Sequence, residues 1–208
     1  MSRVKIVGII GSPRKNGASE RLFNILETEV KALAPAAEID RVILAGMKVQ
    51  PCTGCDACLK GDCPLDKDDD YPIIVAKLLA ADAIIIASPV YFFNVPGLLK
   101  NFIDRSRRMK MNRSMLKNKW FGTLVSSGLR NGGGENVTML LFAWALSQGM
   151  LPISCLGNPV IEAVMPITTL QKDKVKEFRK PAEEDEIADK SAKRLAERLV
   201  ELGGLLKK

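Results

Sequence analysis

Four of the five cysteines in this 208-residue chain stand within twelve positions, in PCTGCDACLKGDCP at 51–64, as Cys52, Cys55, Cys58 and Cys63. Thiolates in such numbers suit soft and borderline metals. Structural zinc sites usually pair two Cys-x-x-Cys knuckles across a longer gap; here there is no gap, and the chain has no histidine to complete a mixed site. Three cysteines spaced Cys-x2-Cys-x2-Cys are instead what spreads thiolates over three irons of one cube. Gly54 and Gly61 let the backbone wrap such an object closely. The expected ligand is therefore a [4Fe-4S] cluster on Cys52, Cys55, Cys58 and Cys63, with zinc or no metal as the alternatives. A disulfide would leave two thiols idle in a reducing compartment. The fifth cysteine, Cys155, lies in an apolar run and reads as a small core residue.

A second group of residues could bind an anion. The first apolar run ends in GSPRKNGAS, 11–19, and a helical pattern begins at once. Ser12 and Ser19 offer hydroxyls, Arg14 adds charge, and Asn16 and Gly17 let the turn tighten onto free amides at a helix start. Neither G-x-G-x-x-G nor the P-loop lysine pattern is present, so dinucleotide and nucleoside triphosphate sites lack support. Two further strand ends look suited to a ligand. SPVYFFNVPGLLKNFIDR, 88–105, offers an apolar wall of Pro89, Val90, Tyr91 and Phe92 with the polar Asn94, and SSGLRNGGGEN, 126–136, offers Ser126, Ser127, Gly128 and Gly132. In open α/β sheets, ligands sit beyond the carboxyl ends of the strands.

The elements that must position these groups alternate. Apolar runs at 4–11, 83–88, 121–127 and 152–157 are nearly continuous, as in a parallel sheet covered on both faces, and a more mixed run at 39–46 suits an edge. Helical spacing is found over 19–33, 71–81, 96–107 and 135–148, and a last helix is expected over 181–203, opened by Pro181 and stopped by Gly203 and Gly204, with Ile187 on its apolar stripe. This is a single three-layer α/β domain over 1–208, carrying a cysteine loop at 51–66.

Composition limits the function. At 47% hydrophobic and 26% charged residues, the chain has the profile of a globular protein, and no run reaches the roughly 18 apolar residues of a membrane span. The start of the chain does not read as a signal peptide, so a cytoplasmic location without membrane contact is expected. A histidine-based triad is excluded. The charge of +7 suits nucleic acid, an acidic protein or an anionic cofactor. Nucleic acid is disfavoured, because the basic tract from Arg105 to Lys119 has no stacking aromatic before Trp120. That tract is expected to be a solvated face, with docking of an acidic carrier as its functional alternative, and the acidic run Asp66 to Asp70 is expected to favour the start of the next helix.

GSPRKNGAS, SPVYFFNVPGLLKNFIDR and SSGLRNGGG, in this order, resemble the NADPH-dependent FMN reductase branch of the flavodoxin-like folds over about residues 1–160. The resemblance implies a five-stranded parallel sheet of order 2-1-3-4-5. It also implies FMN with its phosphate at 12–19, its ring at 89–94 and its pyrimidine edge at 126–132, in a homodimer or homotetramer with the flavin near a subunit boundary. The complete cysteine set resembles the iron-sulfur flavoprotein family. That resemblance implies an electron-transfer oxidoreductase linking a one-electron carrier, such as ferredoxin or another acidic protein, to an acceptor through a [4Fe-4S] cluster and FMN. The alternative is an NAD(P)H-dependent FMN or quinone reductase without a cluster. No side chain is expected to act as acid or base.

Overall fold

In the computed structural model, which describes residues 4–158 and 162–205, β1 (Lys5–Ile10) is apolar beyond its first residue because both its faces are covered. Ile6 and Ile10 face one helical layer, and Val7 and Ile9 face the other. The parallel sheet has the expected order, β2 (Glu38–Ile43), β1, β3 (Ala83–Pro89), β4 (Trp120–Ser127) and β5 (Leu151–Pro152). On one face lie α1 (Ala18–Leu33) and α6 (Glu186–Leu205), packed against each other. On the other lie α2 (Tyr71–Ala80), α3 (Gly97–Arg105), the short α4 (Arg107–Met111) and α5 (Gly134–Ser147). The rings of Phe102 and Phe121 meet Trp144 edge-on, with centroids 5.7 and 5.6 Å away.

Several expectations are corrected. The run 152–157 is a strand only at Leu151–Pro152, after which the chain leaves the sheet. A sixth strand, β6 (Ile167–Thr169), takes the vacated lane and pairs in parallel with Val125–Ser127. The last helix begins at Glu186 rather than Pro181, because Asp185 takes the capping position: it accepts from Thr168 Oγ1 at 2.8 Å while its carbonyl receives the Asp189 amide. It also runs through Gly203 to Leu205. Gly203 lies where a Cβ would come within 2.9 Å of Val4, so it serves close packing rather than helix termination. Ile187 is 60% exposed and off the buried stripe, which is carried by Ala188, Leu195 and Leu199. The expected helix over 96–107 breaks at Ser106, whose hydroxyl bonds back to Ile103 and accepts from Trp144 and Gln148.

Candidate functional site

The carboxyl ends of β1, β3 and β4 open onto a cleft of about 200 Å³. Its lining includes Ser12, Arg14, Gly17 and Ser19 from the first loop, Pro89, Val90 and Tyr91 from the second, and Ser126, Ser127 and Gly128 from the third. Ten of the fourteen residues expected around a cofactor are thus brought together. The register explains why: β3 and β4 run in step to Pro89 opposite Ser126, and the Val90 amide donates to the Ser126 carbonyl at 2.8 Å.

The first loop is held by its own side chains. Ser12 Oγ accepts from the Arg14 amide at 3.1 Å, and Ser19 Oγ shares a hydrogen bond of 2.8 Å with Ser126 Oγ. Gly17 is the N-cap of α1 and supplies no side-chain bond, so no capping group competes with a ligand for the first-turn amides. An anion fits there, beside the Arg14 charge and between serines. The wall of Pro89, Val90 and Tyr91 suits a flat apolar body, so the residues present fit FMN.

Four expected residues do not line the cleft. Asn16 takes a left-handed φ of 55°, and its amide donates to Glu20 Oε2 at 2.6 Å. Phe92 and Phe93, with φ of 49° and 61°, form the tip of a tight turn closed by reciprocal Tyr91 and Asn94 backbone bonds. Phe92 therefore points into solvent, and Asn94 Oδ1 is used by the Val95 amide at the entry to α3. Gly132 serves its own loop, since a Cβ there would lie 2.6 Å from the Leu129 carbonyl oxygen.

Sequence reasoning missed Ala18, Leu170 and Pro181. The last two arrive with the segment after β6, which lies on the end of β4: the Leu170 amide donates to the Ser127 carbonyl at 2.9 Å and the Gln171 amide to Gly128 at 3.0 Å. The one available signal was the short β-branched run ITT at 167–169.

The cysteine excursion runs from Gln50 to Asp70, with short 3-10 turns at Ala57–Leu59 and Pro64–Lys67. Cys52 and Cys55 are exposed, Cys58 and Cys63 half-buried, and all four are free thiols. A hydrogen bond from the Ala57 backbone, and then one from Thr53, holds Cys55 below the ordinary thiol range. In number, type and accessibility these donors fit an iron-sulfur cluster. Their sulfurs stand apart, however, and among the described residues no three Cys, Asp or Glu side chains are gathered for a metal ion. Holding a cluster requires the segment between Cys52 and Cys63 to draw in.

The basic tract is not simply a solvated face. Arg105 is 3% exposed and pairs with Asp66 and Asp69 at 2.7 and 2.5 Å. Arg108 pairs with Asp62 and Asp66, and Arg107 with Asp56. Burial opposes the charge of Arg105, but Asp69 outweighs it and the guanidinium is held more firmly protonated than usual. Asp66 and Asp69 thus clamp the loop, beyond any favourable effect on the start of α2.

The sequence profile of the family described as NADPH-dependent FMN reductase matches residues 4–157. The chain belongs to that family. It is a flavin-dependent oxidoreductase whose fold is flavodoxin-like. An iron-sulfur flavoprotein of Archaeoglobus fulgidus is 44% identical over 199 residues, spanning 96% of this chain and 95% of its own. One of Methanosarcina thermophila is 38% identical over 151 residues, spanning 72% and 77%. Among solved structures, a flavodoxin, WrbA-like protein of Agrobacterium tumefaciens superposes with a TM-score of 0.61 at 17% identity, over 98% of this chain and 99% of that one, which shows the shared fold. Leu170 and Pro181 lie beyond the part of this chain that the family profile covers. Among the described residues no helix is long and apolar enough to cross a membrane.

Proposed function

We propose that this FMN reductase family member is an iron-sulfur flavoprotein that moves electrons between a one-electron carrier, such as ferredoxin or a similar acidic protein, and a two-electron acceptor. FMN bound in the cleft would supply both one- and two-electron steps, which is the chemistry that such coupling needs. Ser12, Arg14, Gly17 and Ser19 receive the phosphate, Pro89, Val90 and Tyr91 face the ring, and Ser126, Ser127 and Gly128 meet its polar edge. Cys52, Cys55, Cys58 and Cys63 hold a [4Fe-4S] cluster.

The single observation that carries this reading is a four-thiol loop anchored to α3, the helix that starts directly after the cleft wall at 89–96. The names of the two curated relatives above support it as well. A homodimer or homotetramer, with the flavin near a subunit boundary, belongs to this reading.

A second reading, an NAD(P)H-dependent flavin or quinone reductase without a cluster, is favoured by the ungathered sulfurs. Anaerobic purification followed by iron, sulfide and flavin analysis decides between the two. About four iron and four sulfide per chain beneath the flavin bands supports the first. Flavin alone, after anaerobic reconstitution has been attempted, supports the second.

A further inference from the structure

We propose that Arg105 and Arg108 are positioning residues that hold the cysteine loop against α3 and α4, through Asp66 and Asp69, before any cluster is bound. The inference rests on the reading of that loop as a cluster site.

The excursion from Gln50 to Asp70 contributes no residue to the buried core, and Leu59 is 41% exposed. A segment without its own apolar packing cannot offset its ordering entropy, so its order has to come from elsewhere. The source is electrostatic. The Asp69 carboxylate, fully buried, accepts from the Gln50 amide at 3.2 Å and the Tyr71 amide at 3.0 Å, joining the two ends of the excursion. Arg105 reaches Asp69 with one nitrogen and Asp66 with the other, and its guanidinium lies 4.6 Å from the centre of the Tyr71 ring. Arg108 then links Asp66 to Asp62, flanking Cys63 on both sides. Two guanidinium charges thereby face two largely buried carboxylates, the condition under which buried charge is tolerated. The fork is essential, because a lysine ammonium is a single point charge that does not span both carboxylates in this planar way.

The clasp holds the neck of the loop and the stretch after Cys63, whereas the exposed stretch around Cys52 and Cys55 is tied more lightly, by the solvent-exposed Arg107–Asp56 pair. Cluster uptake then needs a local movement, not the folding of a 21-residue segment. In metal-free, full-length protein carrying FMN, hydrogen exchange is compared for wild type, Arg105→Lys and the milder Arg108→Gln. Exchange at the Gln50, Asp66 and Tyr71 amides is expected to accelerate at least about tenfold in both variants, with strand amides and FMN affinity unchanged. After anaerobic reconstitution, a chelator is expected to strip iron from the variants at least about tenfold faster, and the electron paramagnetic resonance spectrum of the reduced cluster to broaden. Unchanged exchange, or unchanged chelator loss from a reconstituted cluster, overturns the inference. If wild type takes up no iron while exchange responds as stated, the clasp stands and the cluster reading falls.

Discussion

Ser19 Oγ and Ser126 Oγ lie 2.8 Å apart in the buried floor of the cleft, joining the first turn of α1 to the end of β4. Two segments separated by 107 residues in the chain meet through one hydroxyl pair, so the phosphate loop and the polar edge are registered to each other. Replacing Ser126 by Ala strands the Ser19 hydroxyl, at an expected cost of about 1–3 kcal/mol. The Ser19→Ala/Ser126→Ala double variant should cost less than the sum of the singles, because both lose the same bond. Urea denaturation of the three variants tests this, and strict additivity would contradict the coupling.

Gly8 and Phe23 set a second contact. A Cβ at position 8 would fall inside the Phe23 ring, so Gly8→Ala should destabilise by about 1–3 kcal/mol through overpacking. Trimming the ring with Phe23→Leu in the same chain should recover part of that loss. A Gly8→Ala protein as stable as wild type, by thermal melting, would show that the ring has room to move.

The turn at Phe92 and Phe93 carries backbone strain, since both residues sit at positive φ without being glycine. Phe92 is fully exposed and has no burial to lose. Phe92→Asn should therefore raise stability, by about 0.5–1 kcal/mol, because asparagine tolerates the left-handed region better. A lower melting temperature would mean that the aromatic ring is covered by something in solution, such as a second copy.

Glu162 gives a prediction in pH. Its hydrogen bond to Lys190, then those from Arg194 and the Asn158 amide, lower its carboxyl from an ordinary 4.5 to about 2. A depressed carboxyl contributes stability that is fully present above pH 4.5 and is lost as pH falls towards 2. The gap between wild type and Glu162→Gln should thus be widest near neutrality and shrink through that window. Denaturation midpoints at several pH values measure it, and a gap independent of pH would count against the pairing.

Arg14 lines the cleft but is itself exposed, with its backbone fixed by Ser12. Arg14→Gln should weaken FMN binding by about tenfold, the loss of one charge-assisted contact, and leave riboflavin binding unchanged because that ligand lacks the phosphate. Flavin fluorescence titration with the two ligands separates the phosphate contribution from any general loss of the site.

How much of this was legible in the chain depended on the range of the interaction. The both-face burial of VKIVGII and AIIIAS showed in unbroken apolar runs, and GSPRKNGAS, SPVY and SSG marked the three strand ends where ten of the expected cleft residues do meet. Phe92 and Asn94 lie outside the lining of the cleft because Phe92 and Phe93, at positive φ, form a tight turn closed by Tyr91 and Asn94, and an aromatic and an amide after a strand look alike in the sequence whether they line a cleft or build a turn. The helix end was misread for a related reason, since Gly203 answers to Val4 at the far end of the chain rather than to its own neighbours.

The sequence by itself determined the layered α/β architecture, the anion-friendly start of α1 and the presence of four clustered thiols, because periodicity, turn chemistry and ligand spacing are local properties. Only the tertiary structure decided that Arg105 is buried between Asp66 and Asp69, that β6 replaces β5 beside Ser126, and that Leu170 and Pro181 reach the cleft. These depend on which distant charges and strand edges meet. A buried charge and a buried strand end both call for partners, and here those partners, Asp66 and Asp69 for Arg105 and β6 for the end of β4, come from parts of the chain that spacing does not reveal.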